Sequence, residues 1–98
     1  MTVLEAHVTT TRAARYVEQL SSHFTHQPGG MRLLADDPEQ LLVDLNGVTW
    51  LIRAEDGRLL LRLEADDPTH LNDASAHVTQ RIEQIGRRDD LRVTWHPA

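Results

Sequence analysis

Cysteine is absent from this 98-residue chain. Disulfides, thiolate nucleophiles and cysteine-ligated zinc are therefore excluded, and a reducing compartment is suited. Lysine is absent as well, so all 10 basic residues are arginines, the side chain better matched to fixed recognition of carboxylate or phosphate. An excess of basic charge is also lacking. At a net charge of -5 the chain is not built to live on phosphate backbones, where clustered cations release counterions. No apolar run approaches the ~18 residues needed to span a bilayer, and the opening MTVLEAHV has neither the basic nor the long apolar region of a signal peptide. A cytoplasmic protein without nucleic-acid or membrane partners is expected. Internal repeats, low-complexity tracts and linkers longer than the QPGG at 27–30 are missing too.

What is present is ordinary globular material, 40% hydrophobic and 26% charged, enough for one core in a single domain spanning 1–98. Leu4, Ala6 and Val8 alternate with polar residues, the period of a half-buried strand over 3–9. Thr10 or Thr11 can cap a helix whose apolar stripe is Ala13, Tyr16, Val17, Leu20 and Phe24, ending before Pro28. Met31, Leu33 and Ala35 restart the alternation. DDP at 36–38 turns the chain into a strand carrying Leu41, Val43 and Leu45. Asn46-Gly47 and Asp56-Gly57 are strong two-residue hairpin signals, separating strands with Val48, Trp50 and Ile52 and then Leu59, Leu61 and Leu63 facing inward.

Asp67 before Pro68 reads as a helix cap and first helical position, and Gly86 as the stop. Between them Leu71, Ala74, Val78, Ile82 and Ile85 hold one face. GRRDD then forms an exposed turn into a last strand with Leu91, Val93 and Trp95. The fold class is α+β: two helices packed on one face of a mainly antiparallel sheet, in the order β-α-β-β-β-β-α-β. Strand parity puts Trp50 and Trp95 on the side of Leu20 and Val78. Leu34, Leu42, Leu51 and Leu60 fall on the outer face, where an apolar patch marks a partner surface unless other segments cover it.

Arg12, Tyr16, Gln19 and His23 run along one flank of the first helix at helical spacing, with Arg15 beside them and His26 at its end. One reading is a polar pocket at the helix–sheet margin. Tyr16 is its donor, Arg12 or Arg15 holds an anion, and His23 with His26 form a metal or proton site that would need further ligands such as His7 or His96. The other is structural: histidines suit a helix C-terminus, and Tyr16 belongs to the core with its hydroxyl at the surface. His70, Asp73 and His77 make a second, weaker constellation on the other helix. The carboxylate pairs Asp36-Asp37, Asp66-Asp67 and Asp89-Asp90 fall at turns or caps, where short acidic residues are expected. No phosphate loop, G-x-S-x-G or base-paired serine is present, so an enzyme with His23 as general base ranks third.

TRAARYVEQLSSHFTHQ (10–27 less its first threonine) and IEQIGRRDDLRVTW (82–95) together resemble the bacterial domain-of-unknown-function family numbered 2218. Its members carry R-Y-x-x-Q-L-x-x-H-F-x-H-K and F-G-R-R-D/E-x-L-x-V-x-W segments. Arg15, Tyr16, Gln19, Leu20, His23, Phe24 and His26 match the first, and Gly86, Arg87, Arg88, Asp89, Leu91, Val93 and Trp95 the second. Gln27 departs from a frequent lysine and Ile85 from a common phenylalanine. The resemblance implies a context of iron and siderophore handling, since related domains also occur fused to siderophore-interacting flavin reductases. Two functions follow as expectations. One is an accessory domain binding a small molecule, a divalent metal or an iron-bearing ligand such as a ferric siderophore, through Arg12, Arg15, Tyr16, Gln19 and His23, with His23 and His26 as metal ligands and a siderophore-interacting reductase as partner. The other is a non-enzymatic interaction module forming a homodimer through the outer sheet face.

Overall fold

The computed structural model describes residues 2–26, 32–37, 39–45 and 47–98, with the side chains of 23–26, 32, 33 and 35–37 outside that description. Strand β1 (Thr2–Thr9) leads into helix α1 (Ala13–His26). Strands β2 (Arg32–Asp37), β3 (Gln40–Asp44), β4 (Thr49–Glu55) and β5 (Arg58–Ala65) form a meander, followed by helix α2 (Pro68–Ile85). A 3-10 turn at Arg87–Asp89 and a two-residue strand β6 (His96–Pro97) complete the chain. The sheet order is β2-β3-β4-β5-β1-β6, antiparallel throughout. The α+β class and the order of helices and strands are those the sequence patterns indicate.

Cross-strand register explains the one-sided core. Leu41 stands opposite Ile52, which stands opposite Leu61, itself opposite Ala6, and Val43, Trp50, Leu63 and Leu4 make the next row. Because side chains alternate across a strand, both rows lie on one face and are covered by the helices. α1 packs over β4 and the neighbouring strands, and α2 over β5 and β1. Ala13, Tyr16, Val17 and Leu20 of α1 and Leu71, Val78 and Ile82 of α2 are buried in the same cluster as Trp50. Trp95 packs against that cluster and donates through Nε1 to Thr79 Oγ1 of α2 at 2.7 Å. Both tryptophans are thus on the helical side, Trp50 by strand parity and Trp95 through its contact with α2. Phe24, the last residue of the expected α1 stripe, lies outside the described side chains.

The turns obey their chemistry. Leu45 and Val48 exchange backbone hydrogen bonds of 2.7 and 3.3 Å, Gly47 has φ +95°, and Asp44 Oδ1 accepts from Gly47 N at 3.1 Å. Asn46, Pro38 and Met31 lie outside the described residues. Gly57, at φ +74°, closes the hairpin with Asp56. Thr10 Oγ1 accepts from Arg12 N at 3.1 Å at the start of α1. Asp67 Oδ1 accepts from Thr69 N at 2.8 Å, with Pro68 in the first turn of α2.

Three details depart from the sequence reading. Residues 91–95 are not a strand: Val93 N donates to Glu83 Oε2 at 3.2 Å and Trp95 to Thr79, so this stretch is tied to α2 and the chain joins β1 only from His96 onward. In β2, Leu33 pairs with Val43 but Ala35 with Leu42, so Leu34 is an extra residue at a bulge and Ala35 takes the register position of the opposite face. The outer leucine patch is uneven: Leu34 is 49% exposed, Leu42 and Leu51 are half-buried neighbours, and Leu60 is 8% exposed.

Gly86 ends α2 for a reason other than handedness. Its φ is -96°, and its N–H still donates to Ile82 O at 2.9 Å. A Cβ there would stand 2.2 Å from Leu91 Cδ1, 2.3 Å from Cγ and 2.8 Å from Cβ, and Leu91 is buried. Helix propensity alone favours alanine over glycine by ~1 kcal/mol, whereas overpacking a core contact costs about 1–3 kcal/mol. The steric term should win. Gly86→Ala is expected to lower unfolding free energy by about 1–2 kcal/mol in urea, and Leu91→Ala in the same chain should remove only part of the cost of the glycine replacement, because the Cβ that alanine keeps is itself 2.8 Å away; a stabilised single variant would refute the close packing.

Candidate functional site

The flank of α1 that faces the end of α2 forms the site. Tyr16 is reached one turn after Arg12, whose carbonyl accepts from Tyr16 N at 3.1 Å. The tyrosine ring is in the core cluster while its hydroxyl points out of it and donates to Asp89 Oδ2. Arg12 Nη1 lies 3.8 Å from the other oxygen, Oδ1. One carboxylate, 26% exposed at the side chain, is therefore held from both sides by α1.

The backbone that presents Asp89 is fixed locally. Gly86 O accepts from Asp89 N at 3.1 Å and from Leu91 N at 3.2 Å, and Arg87 O accepts from Asp90 N at 3.3 Å. Asp90 closes the turn in the left-handed region at φ 54°, a conformation that aspartate tolerates better than most side chains. Asp89 is thereby aimed back at α1 and Arg88 placed beside it. Together Arg12, Arg15, Tyr16, Gln19, Ile85, Arg88 and Asp89 line a cavity of about 260 Å³. Arg15 and Gln19 also border a wider depression of about 890 Å³ with Ala14, Glu18 and Ser22.

Four of the residues singled out in the sequence, Arg12, Arg15, Tyr16 and Gln19, thus share one cavity. His23 and His26 belong to the last turns of α1, and their side chains are outside the described residues. Arg88 and Asp89 are additions, because GRRDD reads from sequence as an exposed turn; their signal was the second family-like segment, which the fold brings against the first. The His70, Asp73, His77 constellation does not assemble. Among the described residues no group of three histidine or acidic side chains is placed to hold a metal ion, and His70 is instead 4.0 Å from Asp67. His7 lies 3.5 Å from Glu5, on the sheet.

A model of uncharacterized proteins conserved in bacteria, DUF2218, matches residues 5–96. The chain belongs to this family. The NMR structure of PA4090 from Pseudomonas aeruginosa resembles it with a TM-score of 0.78 and 26% identity, covering 100% of this chain and 98% of that chain. No curated protein matches. In this DUF2218 domain the match takes in both halves of the cavity, the α1 flank and the turn after α2.

Electrostatics around Tyr16 is legible. Its phenol is held above the ordinary value of 10.0 by removal from water, then by its hydrogen bond to Asp89 and the charge of that carboxylate, with Arg12 and Arg15 pulling the other way. A phenol whose folded pKa is raised binds its proton more tightly when folded. Its contribution to stability is complete below pH ~10 and is lost as pH rises through the folded value. Tyr16 is the single tyrosine, so phenolate absorbance reports this site alone. The folded wild type should titrate above pH 10, Asp89→Asn should bring the midpoint down, and Tyr16→Phe should lower stability by about 1–2 kcal/mol through loss of a hydrogen bond to a charged group. Titration of wild type at the value of free tyrosine would refute the Tyr16–Asp89 bond.

Proposed function

We propose that this DUF2218 domain is a binding domain for a small anionic ligand, seated in the cavity between α1 and the turn after α2. The observation that carries the reading is charge: Arg12, Arg15 and Arg88 face one small cavity against a single carboxylate, Asp89, on a chain whose net charge is -5. Arginines are planar, permanently charged forks suited to oxyanions. The rim holds ligands better than it transforms them. Guanidinium groups and the Gln19 amide are not bases, and the Tyr16 hydroxyl is engaged by Asp89.

The same charges disfavour a bare metal cation at this place. Iron would enter as an anionic chelate whose carboxylate or catecholate oxygens meet the arginines, which is how the siderophore context implied by the family-like segments, with a reductase as partner, would be served. A cavity of about 260 Å³ is below the ~300–1,000 Å³ of sites that enclose a drug-sized molecule, so it would take one arm of such a chelate. Citrate and ferric citrate are suitable probes. Amide shifts in nuclear magnetic resonance titrations should concentrate at residues 12–19 and 85–90, weaken with added salt, and require at least tenfold more ligand in Arg15→Gln. The double change His23→Ala, His26→Ala should keep citrate binding; its loss there would move the ligand towards the end of α1. Shifts confined to other surfaces would defeat the proposal.

A second reading rests on the outer sheet face, where Leu42 and Leu51 are direct cross-strand partners beside the bulged, exposed Leu34. Two copies meeting across a two-fold axis would remove that patch from water. Leu51→Arg should then convert a dimer into a folded monomer by sedimentation; a wild type already monomeric at high concentration would exclude this reading.

A further inference from the structure

We infer that the ligand of the Arg12–Asp89 cavity presents two negative charges on closely spaced oxygens, as a phosphate monoester or a dicarboxylate does, and that Arg15 and Arg88 are its anchors. The inference rests on the reading of this cavity as an anion site.

The charges around the cavity are unequally matched within the protein. Asp89 gives one oxygen to the Tyr16 hydroxyl and faces Arg12 with the other at 3.8 Å, so its single charge is matched within the protein. Arg15 and Arg88 form no ion pair among the described residues, and both are exposed. They come from separate elements, α1 and the turn after α2, yet border the same cavity. Two like charges that line one cavity give it a positive potential, screened by water and salt because both are exposed, and that potential favours an anion between them most strongly at low salt. A monoanion would leave one guanidinium uncompensated, whereas a dianion answers both.

Hydrogen-bonding capacity points the same way. Arg15 and Arg88 offer only donors, and Gln19 adds two more from its amide nitrogen. The matching ligand end is rich in acceptors and poor in donors, as an ionised phosphate or a pair of carboxylates is. Ile85 gives the cavity an apolar wall, against which the carbon stem of an organic anion can lie.

Four probes of the intact chain separate charge from chemistry: methyl phosphate against dimethyl phosphate, and succinate against acetate, each followed by amide shifts at neutral pH and low salt. The doubly charged member of at least one pair should bind at least tenfold more tightly than its singly charged counterpart, with shifts at residues 12–19 and 85–90; which pair shows it distinguishes phosphate from dicarboxylate. Arg15→Gln and Arg88→Gln, both at exposed positions, should each erase that difference, while Arg81→Gln on the outer flank of α2 should preserve it. Equal binding of singly and doubly charged probes in the cavity would overturn the two-charge inference and leave the anion site standing. No shift in the cavity with any of the four, or shifts elsewhere only, would overturn the inference, and failure of citrate there as well would take the anion site with it.

Discussion

The hydrogen bond from Tyr16 to Asp89 joins two segments that are far apart in sequence and gives the cavity its shape. Tyr16 can reach because its ring is a core residue of α1, 6% exposed, packed in the same cluster as Val17 and Leu20. Asp89 can receive because the turn after α2 is closed by backbone bonds to Gly86 O and tightened by Leu91 against Gly86. Rigid packing on both sides thus positions one polar contact, and that contact joins the two elements that carry Arg12, Arg15 and Arg88.

This arrangement depends in turn on a one-sided sheet. Register places Leu41, Val43, Trp50, Ile52, Leu61 and Leu63 on one face, so both helices must lie there to remove them from water. The C-terminal stretch then crosses α2 instead of extending the sheet, because Glu83 and Thr79 offer partners to Val93 N and the Trp95 indole. Only at His96 does the backbone reach β1. Tying 91–95 to α2 fixes the exit of the turn that carries Arg88 and Asp89, which links the irregular end of the chain to the cavity.

Most of the fold was legible because alternation, helical stripes and the Asn-Gly and Asp-Gly pairs are local signals read over a few residues. Val93 and Trp95 show where such signals mislead. Their alternate burial has the period of a strand, but it arises from packing against α2 and not from a ladder. The bulge at Leu34 was hidden for a related reason, since an extra residue shifts register without altering composition. For the site, the α1 half was legible: Arg12, Tyr16 and Gln19 repeat at three and four residues, and spacing alone puts them on one flank. The other half was not, because turns have no periodicity. Asp89 reads as one of several acidic residues suited to a turn, and only the tertiary approach of Tyr16 distinguishes it from Asp90, which has its charge beside Arg92 at the surface.

The histidines and arginines of α1 suggest two kinds of ligand with opposite requirements. A cation site needs converging acceptors, and among the described residues none converge in the required number. The cavity at the other end of the flank collects donors and positive charge, with its one carboxylate already held by a phenol and a guanidinium. Tyr16 keeps its proton there because desolvation and Asp89 both oppose the phenolate, despite Arg12 and Arg15. A protonated phenol engaged as a donor is a poor metal ligand but a firm support for the carboxylate that keeps Arg12 in place. On the proposed reading, the polar flank of α1 holds anionic oxygen, and any iron would be met through the oxygens of its chelator.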